Sequence, residues 1–472
     1  MTRVLLINPP SPEQMGTPLL GLQYVASALL AKGCEVRVID AAARYFNGDT
    51  ATIVNQTQAF SPDLIGFSLF TRWVWHAYGL AARLAGSCRL LVAGGAHATV
   101  RPDETLDRGF DIAVSGEAEL VMAALVDYME GRRQIESIPG IRFRTPDGGR
   151  GAGPPAAVND DLDGLPMPFL AQKLFDSRWY HPSGATVVPG GMLASRGCPA
   201  RCTFCANYVT GRKFRFRSAA NVIAELNAWH ERYGNTFFPF WDDALSANPA
   251  HLARLCESFE RDLKFPIRWS AITRANMVTP ELLRLMRRAG CVSVNFGIES
   301  GDDQILRVIK KGVTTEQVAR ALRWAKDEGL TTAANFMLGF PQETPDALQR
   351  TLDYMHRIAP LVDSFSTLGV AVPFPGTPLY DDYHRGYGFT DWWLGQEYSH
   401  YCPPPPITEF DRFYRHYIDD ANLELDFFAY SDRVRDLIRQ CLKYKAEHNL
   451  CRMGLLRDPV YRPEPTAALH SA

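Results

Sequence analysis

Ser195-Arg196-Gly197-Cys198-Pro199-Ala200-Arg201-Cys202-Thr203-Phe204-Cys205 sets three cysteines close together in the spacing C-x₃-C-x₂-C. Thiolate is the soft ligand that iron–sulfur clusters take. Such clusters usually take four cysteines, and no fourth lies nearby. A [4Fe–4S] cube held by three thiolates keeps one iron open to a small molecule. Two other readings are weaker. A disulfide pair with a spare thiol does not suit a chain that otherwise reads as cytosolic. A zinc knuckle wants a fourth Cys or His close by, and the next candidate is His230. The metal ligands read from this stretch are Cys198, Cys202 and Cys205.

That spacing, with aromatic Phe204 before the third cysteine, resembles the radical S-adenosylmethionine (SAM) enzymes. The resemblance implies that the open iron chelates the amino and carboxylate groups of SAM. Reduction then splits SAM into methionine and a 5′-deoxyadenosyl radical. A flavodoxin- or ferredoxin-type protein is the implied electron donor.

Downstream, strands and helices alternate. Val187–Ala194 leads into the cysteines, and a helix follows near 218–233. Further strands read as Phe237–Trp241, Ile267–Ile272, Val292–Phe296, Thr332–Leu338 and Ser364–Val370. Six β/α units suit a partial parallel barrel, and polar residues cluster at the strand ends, the face where barrel enzymes keep their chemistry. Read alone, Asp242-Asp243 is a helix cap with a solvated neighbour, and Glu299-Ser300-Gly301 an ordinary loop. The resemblance places Asp242 or Asp243 on the SAM ammonium, Glu299 on the ribose and Arg274 on the SAM carboxylate, and counts Ser300 and Phe204 among the cofactor contacts. Carboxylates suit ammonium and hydroxyl donors, and Arg suits a carboxylate. Lys213, Arg215 and Arg217 alternate with Phe214 and Phe216 and read as domain structure.

Upstream, apolar runs at Val4–Ile7, Val36–Asp40, Leu64–Phe67, Leu90–Ala93 and Ile112–Val114 alternate with helical stretches at Leu19–Ala31 and near 51–60, 72–87 and 117–130. This is the pattern of a doubly wound parallel sheet. Ligands in such sheets lie at the carboxyl ends of the strands. Those ends carry Asn8-Pro9-Pro10, Asp40, Ser68-Leu69-Phe70-Thr71, Gly94-Gly95-Ala96-His97 and Ser115-Gly116-Glu117. Together with Pro18 and Gly21, the set resembles the cobalamin-binding domain fused to one class of radical SAM enzymes. The implied corrin contacts are Asn8, Pro9, Gly21, Ser68, Thr71, Gly94, Gly95, His97, Gly116 and Glu117. The Asp-x-His-x-x-Gly motif that supplies an axial imidazole in cobalamin-dependent mutases is absent. His76 and Gly79 keep its spacing, but Val74 stands at the aspartate position and the segment follows the third strand. A degenerate domain that no longer binds cobalamin is the competing reading.

The chain has 472 residues, a formal charge of −2 and ten cysteines. That charge gives no electrostatic case for nucleic acid. Cys34, Cys88, Cys256, Cys291, Cys402, Cys441 and Cys451 show no pairing rhythm, as in a reducing compartment. No apolar run approaches the length of a membrane span, and the first run is too short for a signal peptide. A cytoplasmic location is expected.

The fold class expected is α/β: an N-terminal doubly wound parallel sheet of Rossmann type (1–145), a Gly- and Pro-rich linker (146–185), a partial (β/α)₆ radical SAM barrel (186–385), and a mostly helical C-terminal region (386–472). The last region should carry helices at 410–425 and 430–448 and a disordered tail, and the resemblance implies that it shapes the substrate pocket. The resemblance implies a cobalamin-dependent methyltransferase acting on an unactivated carbon or a phosphinate phosphorus of a small molecule. Such a reaction consumes one SAM to S-adenosylhomocysteine and a second to 5′-deoxyadenosine. A radical dehydratase, cyclase or epimerase is the alternative, and a non-catalytic cobalamin or iron–sulfur sensor the alternative of another class.

Overall fold

In the computed structural model, which describes residues 1–12, 14–181, 183–184, 187–395 and 421–452, the N-terminal apolar runs become a seven-stranded sheet. Its strands are β1 (Arg3–Asn8), β2 (Glu35–Asp40), β3 (Leu64–Ser68), β4 (Leu90–Gly94), β5 (Ile112–Val114), β6 (Ile141–Arg144) and β7 (Arg150–Ala152), in the order β2-β1-β3-β4-β5-β6-β7. The first five pair in parallel. Both faces are covered by helices, which is why these strands read as continuous apolar runs rather than alternating ones. Val4, Leu29, Leu64, Val114 and Leu125 are fully buried in the resulting core. Burying each such side chain stabilises by about 1.5–3 kcal/mol relative to exposure.

The last two strands are antiparallel. Thr145–Gly149, at the start of the stretch read as linker, is the turn of this hairpin, with Gly148 at φ +85°. Asp147-Gly148 supplies the turn chemistry that a linker and a hairpin share.

The chain divides into two units. The first comprises Met1–Met192, Ala206–Asn235 and the described part of Thr390–Pro403; the second comprises Leu193–Cys205, Thr236–Phe389 and the described part of Pro404–Ala472. The helix Ala219–Tyr233 therefore groups with the first unit.

The second unit is a five-stranded parallel sheet in sequential order: β8 (Phe237–Phe240), β9 (Arg268–Thr273), β10 (Cys291–Glu299), β11 (Thr331–Leu338) and β12 (Ser364–Val370). Helices Pro249–Asp262, Pro280–Arg288, Thr315–Asp327 and Pro345–Ile358 connect the strands. Asn248, Thr279, Thr314 and Thr344 cap them by accepting a backbone N–H, and proline opens three of them, where its missing N–H costs nothing. One sheet face packs on these helices through Trp269, Val294, Phe296, Phe336 and Phe365. The other carries Asn295, Asn335 and Ser366. Asn295 Nδ2 donates to Ser366 Oγ at 3.2 Å, and Ser366 donates to Asn335.

Val187–Ala194, expected as the first barrel strand, forms none. Pro189 lacks a ladder donor, and Gly191 at φ +112° is outside strand geometry. At the other end, the helix Asp432–Arg452 covers edge strand β12. Asn449 accepts from the Phe365 N–H and donates to its carbonyl, both at 2.9 Å, as a neighbouring strand would. The helix expected at 410–425 lies outside the described residues except for Ala421–Leu425, which is helical. The tail and Cys402 also lie outside them. Among the described residues no helix is long and apolar enough to cross a membrane.

Candidate functional site

The cysteine loop is held from several sides by the second unit. Gly197 takes φ +87°, so the chain can turn immediately before Cys198. Asp242, at the end of β8, accepts from Ala194 N at 3.1 Å, from Ser195 N, and from Ser195 Oγ at 2.5 Å. It is 2% exposed, and burial pushes its carboxyl up to about 7 even against these donors. A carboxylate so fully used on backbone is a support for the loop. Asp243 is exposed and accepts from Gly197 N at 3.0 Å. Thr203 N donates to the Ile309 carbonyl at 3.0 Å, and Leu379 N to the Thr203 carbonyl at 2.9 Å.

Within this frame Cys198 and Cys202 are buried and Cys205 is exposed. Burial raises the Cys198 thiol, and the Arg274 charge opposes that rise. Arg274, just past β9, donates from Nη1 to Cys202 Sγ at 3.3 Å and from Nη2 to the Lys311 carbonyl. Phe204 stands between the Phe340 ring, centroids 5.8 Å apart, and the Lys311 ammonium, 5.9 Å from its centroid. The three thiols are the donor set a three-thiolate cluster needs, on a loop whose backbone is held by groups outside it.

Glu299 ends β10 at a bulge, with φ +76°. Bulges of this kind re-aim side chains and concentrate near active sites. Glu299 accepts from Lys311 Nζ at 2.6 Å, and both residues are buried. Ser300 is fully buried against Thr351 and the Asp302 N–H, so it fixes the turn. Gly301 is required there, because a Cβ would stand 2.5 Å from Tyr354 Cβ. Lys311 was not among the residues read from the sequence. Lys310-Lys311 looks like a solvated helix end, and only the fold brings it to Glu299.

In the first unit, a cavity of about 300 Å³ opens where β1 and β3 diverge. In a sheet of order 2-1-3-4-5 this is the topological switch point, where ligands bind. Asn8, Pro9 and Ser68 line it, together with Met15, Phe70 and Trp73. Asn8 is held by Asp40, which accepts its Nδ2 at 2.8 Å and the Tyr180 hydroxyl at 2.6 Å.

The other expected corrin contacts do not line this cavity. Gly95 (φ +91°) presses on the end of β3: a Cβ would lie 3.0 Å from Leu69 N and O. Gly94 and His97 bond the Leu69 backbone. The His97 ring is fully buried, its Nδ1 3.1 Å from Thr71 Oγ1 and its Nε2 3.0 Å from the Tyr78 hydroxyl and 3.2 Å from Glu104. Burial lowers its pKa. The Gly-Gly-Ala-His stretch, with Thr71, thus braces the segment that carries Ser68 and Phe70. Glu117 forms a buried two-point pair with Arg215, at 2.8 and 2.9 Å. Gly116 donates to Thr99 at 3.0 Å, and Gly21 is exposed on its helix. Of the cavity's aromatic wall, Phe70 stands within its quoted strand end but was not singled out as a contact, and Trp73 went unread, although aromatics just past a strand end were the available signal.

Comparison with known proteins finds two domains in the same order. The chain matches the radical SAM superfamily over residues 192–355 and the B12 binding domain over residues 15–126. It is 31% identical over 392 residues to an uncharacterized methyltransferase of Pyrococcus horikoshii, covering 80% of this chain and 82% of that protein. It is 28% identical over 446 residues to the cytidylyl-2-hydroxyethylphosphonate methyltransferase of Streptomyces wedmorensis, covering 82% and 83%. In fold it resembles the radical SAM methyltransferase TsrM of Kitasatospora setae, with a TM-score of 0.65 at 22% identity over 82% of this chain and 77% of that one. The chain therefore belongs to the radical SAM enzymes that carry a B12-binding domain ahead of the radical SAM domain, the methyltransferase-containing group whose cofactors are a [4Fe–4S] cluster, SAM and cobalamin.

Proposed function

We propose that this protein transfers a methyl group from SAM, by way of cobalamin, to an unactivated carbon or a phosphinate phosphorus of a small molecule. The observation that carries this reading is the cysteine loop pinned beside the Glu299–Lys311 pair in a chain that also keeps an open cavity at the B12-domain switch point. Methyltransferase relatives of nearly matching length support it.

Cys198, Cys202 and Cys205 would hold the cluster. Lys311 would meet the SAM carboxylate, Glu299 its ribose hydroxyls, and Asp243 its ammonium. Asp242 and Ser300 keep that frame in place without touching the ligand. In the first unit Asn8 and Ser68 would hydrogen-bond the corrin's amide arms, while Phe70 and Trp73 exclude water. When bound, the cluster with SAM supplies the radical initiator and cobalamin the methyl carrier. The protein's part is to hold the reactants in one geometry. A low-potential flavodoxin- or ferredoxin-type donor would supply the electron.

Anaerobic gel filtration with hydroxocobalamin tests the corrin half. The protein should retain about one corrin per chain, and Gly16→Phe should lose it. A Cβ at Gly16 has only the Arg44 side chain, at 3.9 Å, within contact, so the new ring can enter the cavity without a clash at its root. No corrin on the unsubstituted protein would move the reading to radical chemistry without methyl transfer.

A further inference from the structure

The Arg274 guanidinium is directed at sulfur. Nη1 lies 3.3 Å from Cys202 Sγ, and Nη2 is tied to the Lys311 carbonyl. Among the described residues Arg274 has no carboxylate at ion-pair distance, unlike buried Arg215 and Arg217, which pair with Glu117 and Glu225. The arginine is anchored at both its backbone and its second nitrogen. Arg274 follows β9 directly, and the Lys311 N–H is itself bonded to the Leu306 carbonyl at 2.9 Å. Cys202 is 7% exposed, so water competes little for its sulfur. Arginine remains charged throughout the working pH range.

We propose that Arg274 is a positioning residue that raises the reduction potential of the cluster held by Cys198, Cys202 and Cys205, by donating an N–H to the Cys202 thiolate. The proposal rests on the cluster reading above. Hydrogen bonds to cluster sulfurs are among the levers that set such potentials. The sign follows from charge. Reduction takes the cluster from 2+ to 1+ by adding one electron, with no bond made or broken and no proton moved. The reduced state is the more negative, so a cationic donor on a ligating sulfur stabilises it more than the oxidised state. In the cell the electron would come from the low-potential donor; in the test it comes from a titanium(III) titrant with mediators. This role differs from contact with the SAM carboxylate, because it operates with no SAM present.

The test is a potentiometric titration of anaerobically reconstituted full-length protein without SAM, following the paramagnetic signal of the reduced cluster. Arg274→Met should shift the reduction equilibrium about tenfold toward the oxidised cluster, a midpoint about 59 mV more negative for one electron. Arg274→Lys, which keeps the charge on a differently shaped donor, should fall between the two. A midpoint for Arg274→Met within about twofold of the unsubstituted protein (about 18 mV), with SAM affinity alone reduced, would overturn the proposal and leave Arg274 as a SAM contact. If Arg274→Met does not hold about four irons per chain, Arg274→Gln carries the titration. Failure of both to hold iron would also overturn it, since Arg274 would then be needed to assemble the loop. A reconstituted unsubstituted protein with no reducible cluster would sink the cluster reading itself, and is told apart because the signal is missing before any substitution.

Discussion

Around the cysteine loop the side chains are charged and interlocked: Asp242 and Asp243 on loop amides, Arg274 on Cys202, Lys311 on Glu299. Around the switch-point cavity of the first unit the described lining is neutral: prolines, Asn8, Ser68, Met15, Phe70 and Trp73. The ionisable groups there, Asp40, His97 and Glu104, stand behind the wall and bond its supports. The contrast matches the two ligands. SAM carries an ammonium, a carboxylate and a sulfonium, which need fixed counter-charges. A corrin is broad, with amide arms, and needs volume, shape and a few neutral hydrogen bonds. One region should therefore break when a charge is removed, and the other when volume is filled.

The largest effect expected in the charged region is from Asp242→Ala. It leaves two buried backbone donors unpaired in a site closed to water, costing about 3 kcal/mol. Iron retained after reconstitution should fall below about one per chain, with corrin binding unchanged. Asp243→Ala, at an exposed carboxylate, should keep the cluster. Equal loss in both variants would mean that burial of Asp242 does not set its importance.

The Glu299–Lys311 pair comes next. Lys311→Met or Glu299→Gln each leaves a buried charge without its partner. Isothermal titration of the reconstituted protein should show SAM bound roughly tenfold more weakly in each, with the cluster absorbance intact. The double variant should lose less than the sum, because the two groups interact directly. Strictly additive losses would separate them.

The smallest effect sharpens the role of burial itself. Glu343 accepts from the Gly339 and Phe340 amides in the turn after β11, and burial pushes its carboxyl up to about 8 from an ordinary 4.5. Between those values the folded protein holds a proton that the unfolded chain has released, so stability falls as pH rises through the window. Glu343→Gln removes the group that causes that fall. Its Tm should match the unsubstituted protein near pH 5 and exceed it by about 2–4 °C at pH 9. Parallel Tm profiles would show that Glu343 is not protonated in the fold.

Much of this was legible in the sequence, for physical reasons. Strands buried on both faces leave uninterrupted apolar runs, so β1 to β5 could be located from such runs, and β8 to β12 from short apolar segments alternating with helical stretches. The cysteine spacing is local chemistry and needs no fold to be read. What escaped was set by tertiary geometry. Pro189-Gly190-Gly191 sits in an apolar run that nonetheless cannot pair as a strand. The β6–β7 hairpin hid in a tract whose Gly and Asp suit a linker equally well. His97 carries the residue type of a ligand, yet the fold spends both ring nitrogens on Thr71, Tyr78 and Glu104. Asp242 and Asp243 are adjacent and alike in sequence, and only burial separates a loop support from an exposed carboxylate. Lys311 gains its meaning from Glu299, the two being joined across a bulge that no periodicity announces.

The most direct test of the central claim follows the two nucleoside products of SAM. Reconstituted protein loaded with hydroxocobalamin is given SAM and titanium(III) citrate without further substrate, and both products are quantified. Methyl transfer through cobalamin predicts S-adenosylhomocysteine together with 5′-deoxyadenosine. Gly16→Phe, with the corrin cavity filled, should lose the first and keep the second. If the unsubstituted protein forms 5′-deoxyadenosine alone, or if Gly16→Phe still forms S-adenosylhomocysteine with no corrin bound, cobalamin-dependent methyl transfer is contradicted.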